Sequence, residues 1–216
     1  MESKPRPKKQ PTTHKIQSQP TGLTNHKDEG KVMSTNTLKT YGAVSRFNHW
    51  VTAIVMIGMI AFGLYMEDLP KETRAALMGI HKGIGFLFLF FALWRVGVRI
   101  TQGFPPALGN MPHWQETAAK AMHWALLAAI LIMPISGVLM SLYSDHAINV
   151  FGLFTIPAQG KVEAISGPAH LMHGLGGNIL IALIILHVAA ALKHHIIDKD
   201  ATLARMTGRA TKDLAA

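Results

Sequence analysis

The sequence predicts an all-α membrane protein, a four-transmembrane-helix bundle with the N and C termini cytoplasmic. Three observations predict it. Long apolar runs recur along the chain. Only 15% of the 216 residues are charged, against about 25% in a soluble domain. Lys and Arg, moreover, gather at what would be one side of a bilayer.

Residues 1–40 hold Pro5, Pro7, Pro11 and Pro20 and eight Lys or Arg. Such a segment buries too little apolar surface to offset its ordering entropy and is expected to be a disordered basic tail. No apolar core follows its basic residues until past Arg46, so it does not read as a secretory signal peptide. The first span runs from about Phe47 to Met66 and contains no Asp, Glu, Lys or Arg. The second runs from about Gly79 to Ile100, with Lys82 near its start and Arg95 and Arg99 near its end. The third, Ala121 to Ser144, carries Pro134, which predicts a kink. The fourth runs from about His170 to Leu192. Each meets the length of roughly 20 residues that a membrane helix needs. All are far longer than the alternating segments of about 10 residues in a membrane barrel.

Orientation follows from the cations outside the spans. Nine Lys and Arg precede the first span and five follow the fourth. Lys120 lies between the second and third. The other two connections hold Lys71 and Arg74, then Lys161, each matched or outnumbered by Asp and Glu. Both termini are therefore expected in the cytoplasm. The net charge of +9 is accounted for as topology, so lipid rather than nucleic acid is the expected partner of the tail.

The chain has no cysteine and twelve histidines. Disulfides, thiolate-held iron–sulfur clusters and thiol nucleophiles are excluded, and any metal must lean on imidazole. Ionisable side chains inside a membrane are costly and mark function. Four stand out. His49 lies near the cytoplasmic start of the first span and His187 near the cytoplasmic end of the fourth; His81 and His173 open the second and fourth spans on the other side. The topology sorts them into one pair per leaflet.

His173 and His187 are 14 residues apart, which is about 21 Å of helix rise and within roughly 40° of the same direction. Two ligands on one stripe, separated by most of the hydrocarbon thickness, suit two haems stacked across the membrane. The second axial imidazole would come from His49 on the cytoplasmic side and from His81 on the outer side. Zinc usually wants four ligands including thiolate or carboxylate, and the spans offer no Asp or Glu. A bis-imidazole haem iron needs nothing more. Small residues flank these ligands: Gly79, Gly83 and Gly85, then Gly174, Gly176 and Gly177, and Ala189, Ala190 and Ala191. They give a macrocycle room, and they equally suit helix packing.

The stretch Ser45-Arg46-Phe47-Asn48-His49-Trp50 resembles the first-helix motif of the bacterial cytochrome b561 family. Ile80-His81-Lys82-Gly83 resembles its second-helix ligand motif, and Leu186 to His195 is similar to the end of its last helix. The likeness covers about Tyr41 to Arg209, and the ligand spacing of 32 and 14 residues matches the family's dihaem arrangement. It implies two haems b as cofactors, one between His49 and His187 and one between His81 and His173, in a multi-pass protein of the bacterial inner membrane. It further implies transmembrane electron transfer, from superoxide on the outer side to ubiquinone as acceptor, and hence an oxidoreductase.

His194 continues the ligand stripe and resembles a quinone contact; an interfacial histidine is the alternative. His123 could bond a haem propionate or the quinone, or be a satisfied buried histidine. Arg46, Arg95 and Arg99 suit propionates or snorkelling at helix ends. Lys82 and Lys161 on the outer side would draw an anion. His14, His26, His113, His146, His170 and His195 read as solvated or interfacial, and the four tryptophans as interfacial anchors. The expected organisation is a tail over 1–40, a four-helix dihaem domain over 41–209, and a flexible end over 210–216. A cytochrome subunit serving a partner dehydrogenase or hydrogenase is the alternative function; a histidine-lined metal or proton transporter is a second, from another class.

Overall fold

A computed structural model describes residues 41–104 and 111–208. The expectations for the tail over 1–40 and for 210–216 lie outside the described residues. Helix α1 spans Ala43–Glu67, α2 Lys71–Gln102, α3 His113–Leu142, α4 Glu163–Ile196 and α5 Thr202–Thr207. A short antiparallel hairpin, β1 (Ile148–Val150) and β2 (Phe154–Ile156), lies between α3 and α4.

Helices α1 to α4 are long and apolar enough to cross a membrane. Each also starts before the run that hydropathy marks, and all but α3, which stops at Leu142 and not Ser144, continue past its end. α4, at 34 residues, rises about 51 Å against a hydrocarbon core of roughly 30 Å. The apolar run registers only the part in hydrocarbon, while polar turns continue the helix into the headgroups. Breakers fix several ends. Pro70 and Pro112 sit at the N-caps of α2 and α3, where a missing N–H costs nothing. Gly103 closes α2 at φ 67°, its N–H donating to the Arg99 carbonyl. α3 runs as one helix through Pro134 and α4 through Pro168.

Few residues of the four helices are buried by one another, which leaves side chains such as Ile54, Phe90, Leu171 and Ile185 more than half exposed. In water that surface would be a liability; a bilayer is the solvent that covers it. The interior that does form is a layer of Met56, Phe88, Ala92, Leu127, Ile130 and Leu180. A second, smaller cluster joins Leu142, Ile148 and Val150, with Phe86 and Tyr143 against it.

No period-2 signal announces three-residue strands, so the hairpin was not legible in the sequence. It closes by a three-residue connection, Phe151 to Leu153, between the paired Val150 and Phe154; Phe151 and Gly152 stand at φ 53° and 77°, and the Leu153 N–H donates to the Val150 carbonyl. Two successive positive φ values give a turn whose twist matches the strands. The Gly152 N–H donates to Asn149 Oδ1 at 2.7 Å, and Asn149 Nδ2 donates to Thr155 Oγ1. Backbone bonds from Gln159 to the Leu142 carbonyl and from Val162 to the Tyr143 carbonyl return the excursion to the head of α4.

At the end bearing Tyr41 and Gly208, α5 folds back on α1. Trp50 Nε1 donates to the Met206 carbonyl at 3.1 Å, and the buried Arg205 guanidinium stands 5.8 Å from the Tyr41 ring centroid.

Candidate functional site

The helices bring the four singled-out histidines together two by two. His49 on α1 faces His187 on α4 with ring centroids 6.2 Å apart. His81 on α2 faces His173 on α4 at 6.3 Å. These rings do not touch. A metal between two imidazoles, each nitrogen about 2 Å away, holds ring centroids roughly 6.3 Å apart. Both gaps have that size. Leu180 lies seven residues from His173 and seven from His187 and is 1% exposed, so the apolar layer separates the pairs.

The His81–His173 pair opens into a cavity of about 540 Å³, within the range of roughly 300–1,000 Å³ that ligand sites occupy. Its walls include Met56, Met59, Ile60 and Met133, with Lys82, His146 and His170 among its polar groups. His173 Nδ1–H donates to the Met133 carbonyl at 3.0 Å, with Ser136 Oγ at 3.2 Å. That bond fixes the tautomer and leaves the Nε2 lone pair for a metal. His81 Nδ1 is buried with no partner among the described residues. Glycines make the room. A Cβ on Gly137 would come within 3.1 Å of His173 Cε1, and one on Gly63 within 3.8 Å of His81 Cε1.

Of the glycines marked by sequence, Gly85, Gly174 and Gly177 line this cavity. Gly176 meets Met133, Gly83 lies under Phe151 of the hairpin, and Gly79 meets nothing within 4 Å. Gly63 and Gly137 were missed because they come from α1 and α3, not from α2 and α4, which carry His81 and His173. His146 and His170, read as solvated or interfacial, line the cavity. Lys82 lines it too, whereas Lys161 pairs by its backbone with Ser144.

At the His49–His187 pair a third imidazole, His123, stands 5.8 Å from His187. It stacks on Phe104 at 5.1 Å and 15°, with the Arg99 guanidinium 4.8 Å from the Phe104 centroid. Arg95 and Arg99 both lie within electrostatic reach of His49 and His123. Among the described residues no carboxylate pairs with either arginine. Arg95 Nε and Asn48 Oδ1 are buried without a hydrogen-bond partner among the described residues. Half-buried cations and orphaned polar atoms beside paired imidazoles fit a haem, whose propionates are anions. The residues at both pairs therefore fit the group.

His194 is drawn elsewhere. Its Nδ1 lies 2.7 Å from Asp200 Oδ2 and 3.1 Å from Asp198 Oδ2. Asp200 Oδ1 accepts from the Thr202 N–H at 2.8 Å. Partial burial would raise the Asp200 carboxyl, but the bonds from Thr202 and His194 prevail and hold it below the ordinary carboxylate range.

A family model for prokaryotic cytochrome b561 matches residues 40–209. The chain belongs to the prokaryotic cytochrome b561 family. It is 36% identical over 185 residues to cytochrome b561 homolog 2 of Escherichia coli K12, covering 83% of this chain and 97% of that protein. It is 24% identical to the probable superoxide oxidase CybB of Yersinia pestis, over 78% of this chain and 96% of that one. To the probable Ni/Fe-hydrogenase B-type cytochrome subunit of Cupriavidus necator it is 25% identical, over 83% and 90%. As a cytochrome b561 it is a multi-pass membrane cytochrome b that transfers electrons, and the family implies b-type haem.

Proposed function

We propose that this cytochrome b561 carries electrons across the bacterial inner membrane from superoxide on the outer side to ubiquinone. The observation that carries the reading is the pair of imidazole gaps, 6.2 and 6.3 Å, at opposite ends of an apolar layer. His49 and His187 would hold one haem b, His81 and His173 the other, within a functional domain over 41–209. Bound haem would supply reversible one-electron chemistry at each pair, and with both imidazoles of a pair engaged in holding it, outer-sphere transfer would be favoured.

The chain's own residues do the rest. His173 is held in one tautomer by the Met133 carbonyl, and Gly63 and Gly137 keep its pair open. Lys82 places a positive charge at the outer cavity, which favours approach of a small anion. Arg95 and Arg99, which no carboxylate pairs among the described residues, put positive charge beside His49 and so suit carboxylates there. His194, aligned by Asp200, would meet the quinone headgroup near the cytoplasmic face. The superoxide assignment draws support from the CybB relative.

The testing measurement is pyridine-haemochrome quantitation with a reduced-minus-oxidised spectrum. About two b-type haems per chain are expected, with His49→Ala and His81→Ala each removing a different signal and little carbon monoxide binding to the reduced protein. One haem per chain, or none, would overturn the reading.

The hydrogenase-subunit relative, matched over 83% of this chain, favours a second reading in which a partner enzyme supplies the electrons. Purified protein that lacks superoxide:ubiquinone activity but carries a redox enzyme with it through purification would select that one.

A further inference from the structure

We propose that Phe151, at the tip of the hairpin, is a positioning residue for the His81–His173 pair: a backstop behind α2 that sets the gap between the two rings. The proposal rests on the two-haem reading above.

The tip is built against local preference. Phe151 sits at φ 53°, the first position of a turn that Asn, Asp or Gly ordinarily fills. A bulky side chain is seldom held in that left-handed region, and the hairpin itself gives no reason for a ring there. The reason lies across the interface. Phe151 Cζ and Cε2 come to 3.1 and 3.2 Å from the point where a Cβ on Gly83 would stand, with the Asn149 carbonyl at 3.5 Å. The ring thus bears on bare backbone of α2, at a buried glycine.

Gly83 is two residues past His81, and two residues on a helix stand about 200° apart. The ring therefore presses on the side of α2 nearly opposite the one that carries His81. His81 leans from the far side toward His173, at 6.3 Å. The base behind the ring is firm. Ile148 and Val150 are 1% and 0% exposed, Phe154 meets Phe86 of α2 edge to face at 6.2 Å, and Asn149 Oδ1 accepts from the turn N–H. A stop fixed at Gly83 limits how far α2 can retreat from α4, and the distance it limits is the one a bis-imidazole iron needs.

Phe151→Gly separates the ring from the backbone, since glycine takes φ 53° freely. The full chain with both haems is compared with wild type by low-spin EPR and by carbon monoxide binding after reduction. Signals are assigned to each haem with His49→Ala and His81→Ala. In Phe151→Gly the signal removed by His81→Ala is expected to shift or be lost, and carbon monoxide binding at that haem to rise at least tenfold. The signal removed by His49→Ala should not move. Phe151→Leu, which keeps bulk at the tip, should lie close to wild type. Unchanged EPR and carbon monoxide binding in Phe151→Gly would overturn the proposal, as would equal change at both haems. Should Phe151→Gly fail to assemble, Gly83→Ala presses on the same contact from α2, and an unshifted outer signal there overturns it equally. A wild-type chain without two haems would instead overturn the reading beneath, and that is seen before any variant is made.

Discussion

His173 donates its Nδ1 proton to the Met133 carbonyl at 3.0 Å, and Gly137 leaves the space in which the ring stands. A branched side chain there has no room. Gly137→Val is expected to abolish the haem signal of the His81–His173 pair and leave the other in place, as a reduced-minus-oxidised spectrum would show. Arg95 gives a second prediction. A cation beside a haem favours the reduced iron, so Arg95→Met should lower the midpoint of the His49–His187 haem, by roughly 60 mV if the effect is tenfold; redox titration measures it, and an unchanged midpoint would place the charge too far away to matter. The two histidine pairs that the helices bring together were legible in the sequence, because histidine inside an apolar run is costly and 14 residues of helix keep two of them on one stripe. Gly63 and Gly137 were not. Which glycine faces an imidazole depends on how neighbouring helices rotate against each other, and no spacing within one helix encodes that.

At the scale of elements, hydropathy located α1 to α4 and misjudged their ends, since polar turns outside hydrocarbon still satisfy their backbone by staying helical. The hairpin escaped for a different reason. Three residues per strand are too few for alternation to register, and a Phe-Gly turn lacks the usual signature. The α4–α5 junction yields a pH prediction. Asp200 has a depressed carboxyl, held by Thr202 and His194, so its contribution to stability is present above the ordinary carboxylate pKa and is lost as pH falls through the lower folded value. The melting temperature of Asp200→Asn should accordingly fall below that of wild type at neutral pH, with the difference closing as pH drops below about 4. A difference that widens in acid would contradict this assignment of charge.

For the whole molecule, the layer of Met56, Phe88, Ala92, Leu127, Ile130 and Leu180 divides the bundle into two chambers. One holds His49, His187 and His123, with Arg95 and Arg99 nearby; the other holds His81 and His173. Composition predicted this division only indirectly, through the depth of each histidine. The excess of Lys and Arg around the termini predicts that both face the cytoplasm. A C-terminal reporter that fluoresces only when folded in the cytoplasm should therefore be bright, and a reporter active only outside it should be silent at the same position. The reverse pattern would exchange the two chambers and with them the proposed donor and acceptor sides.

One helix serves both chambers. α4 gives His187 to the first and His173 to the second, while the opposing histidines come from α1 and α2. Like a key with two bits on one shank, it must be cut to length and angle at once. A single residue inserted between His173 and His187 would turn one of them by about 100° relative to the other. No rotation of α4 could then seat both, so such a chain must forfeit one chamber to keep its partner.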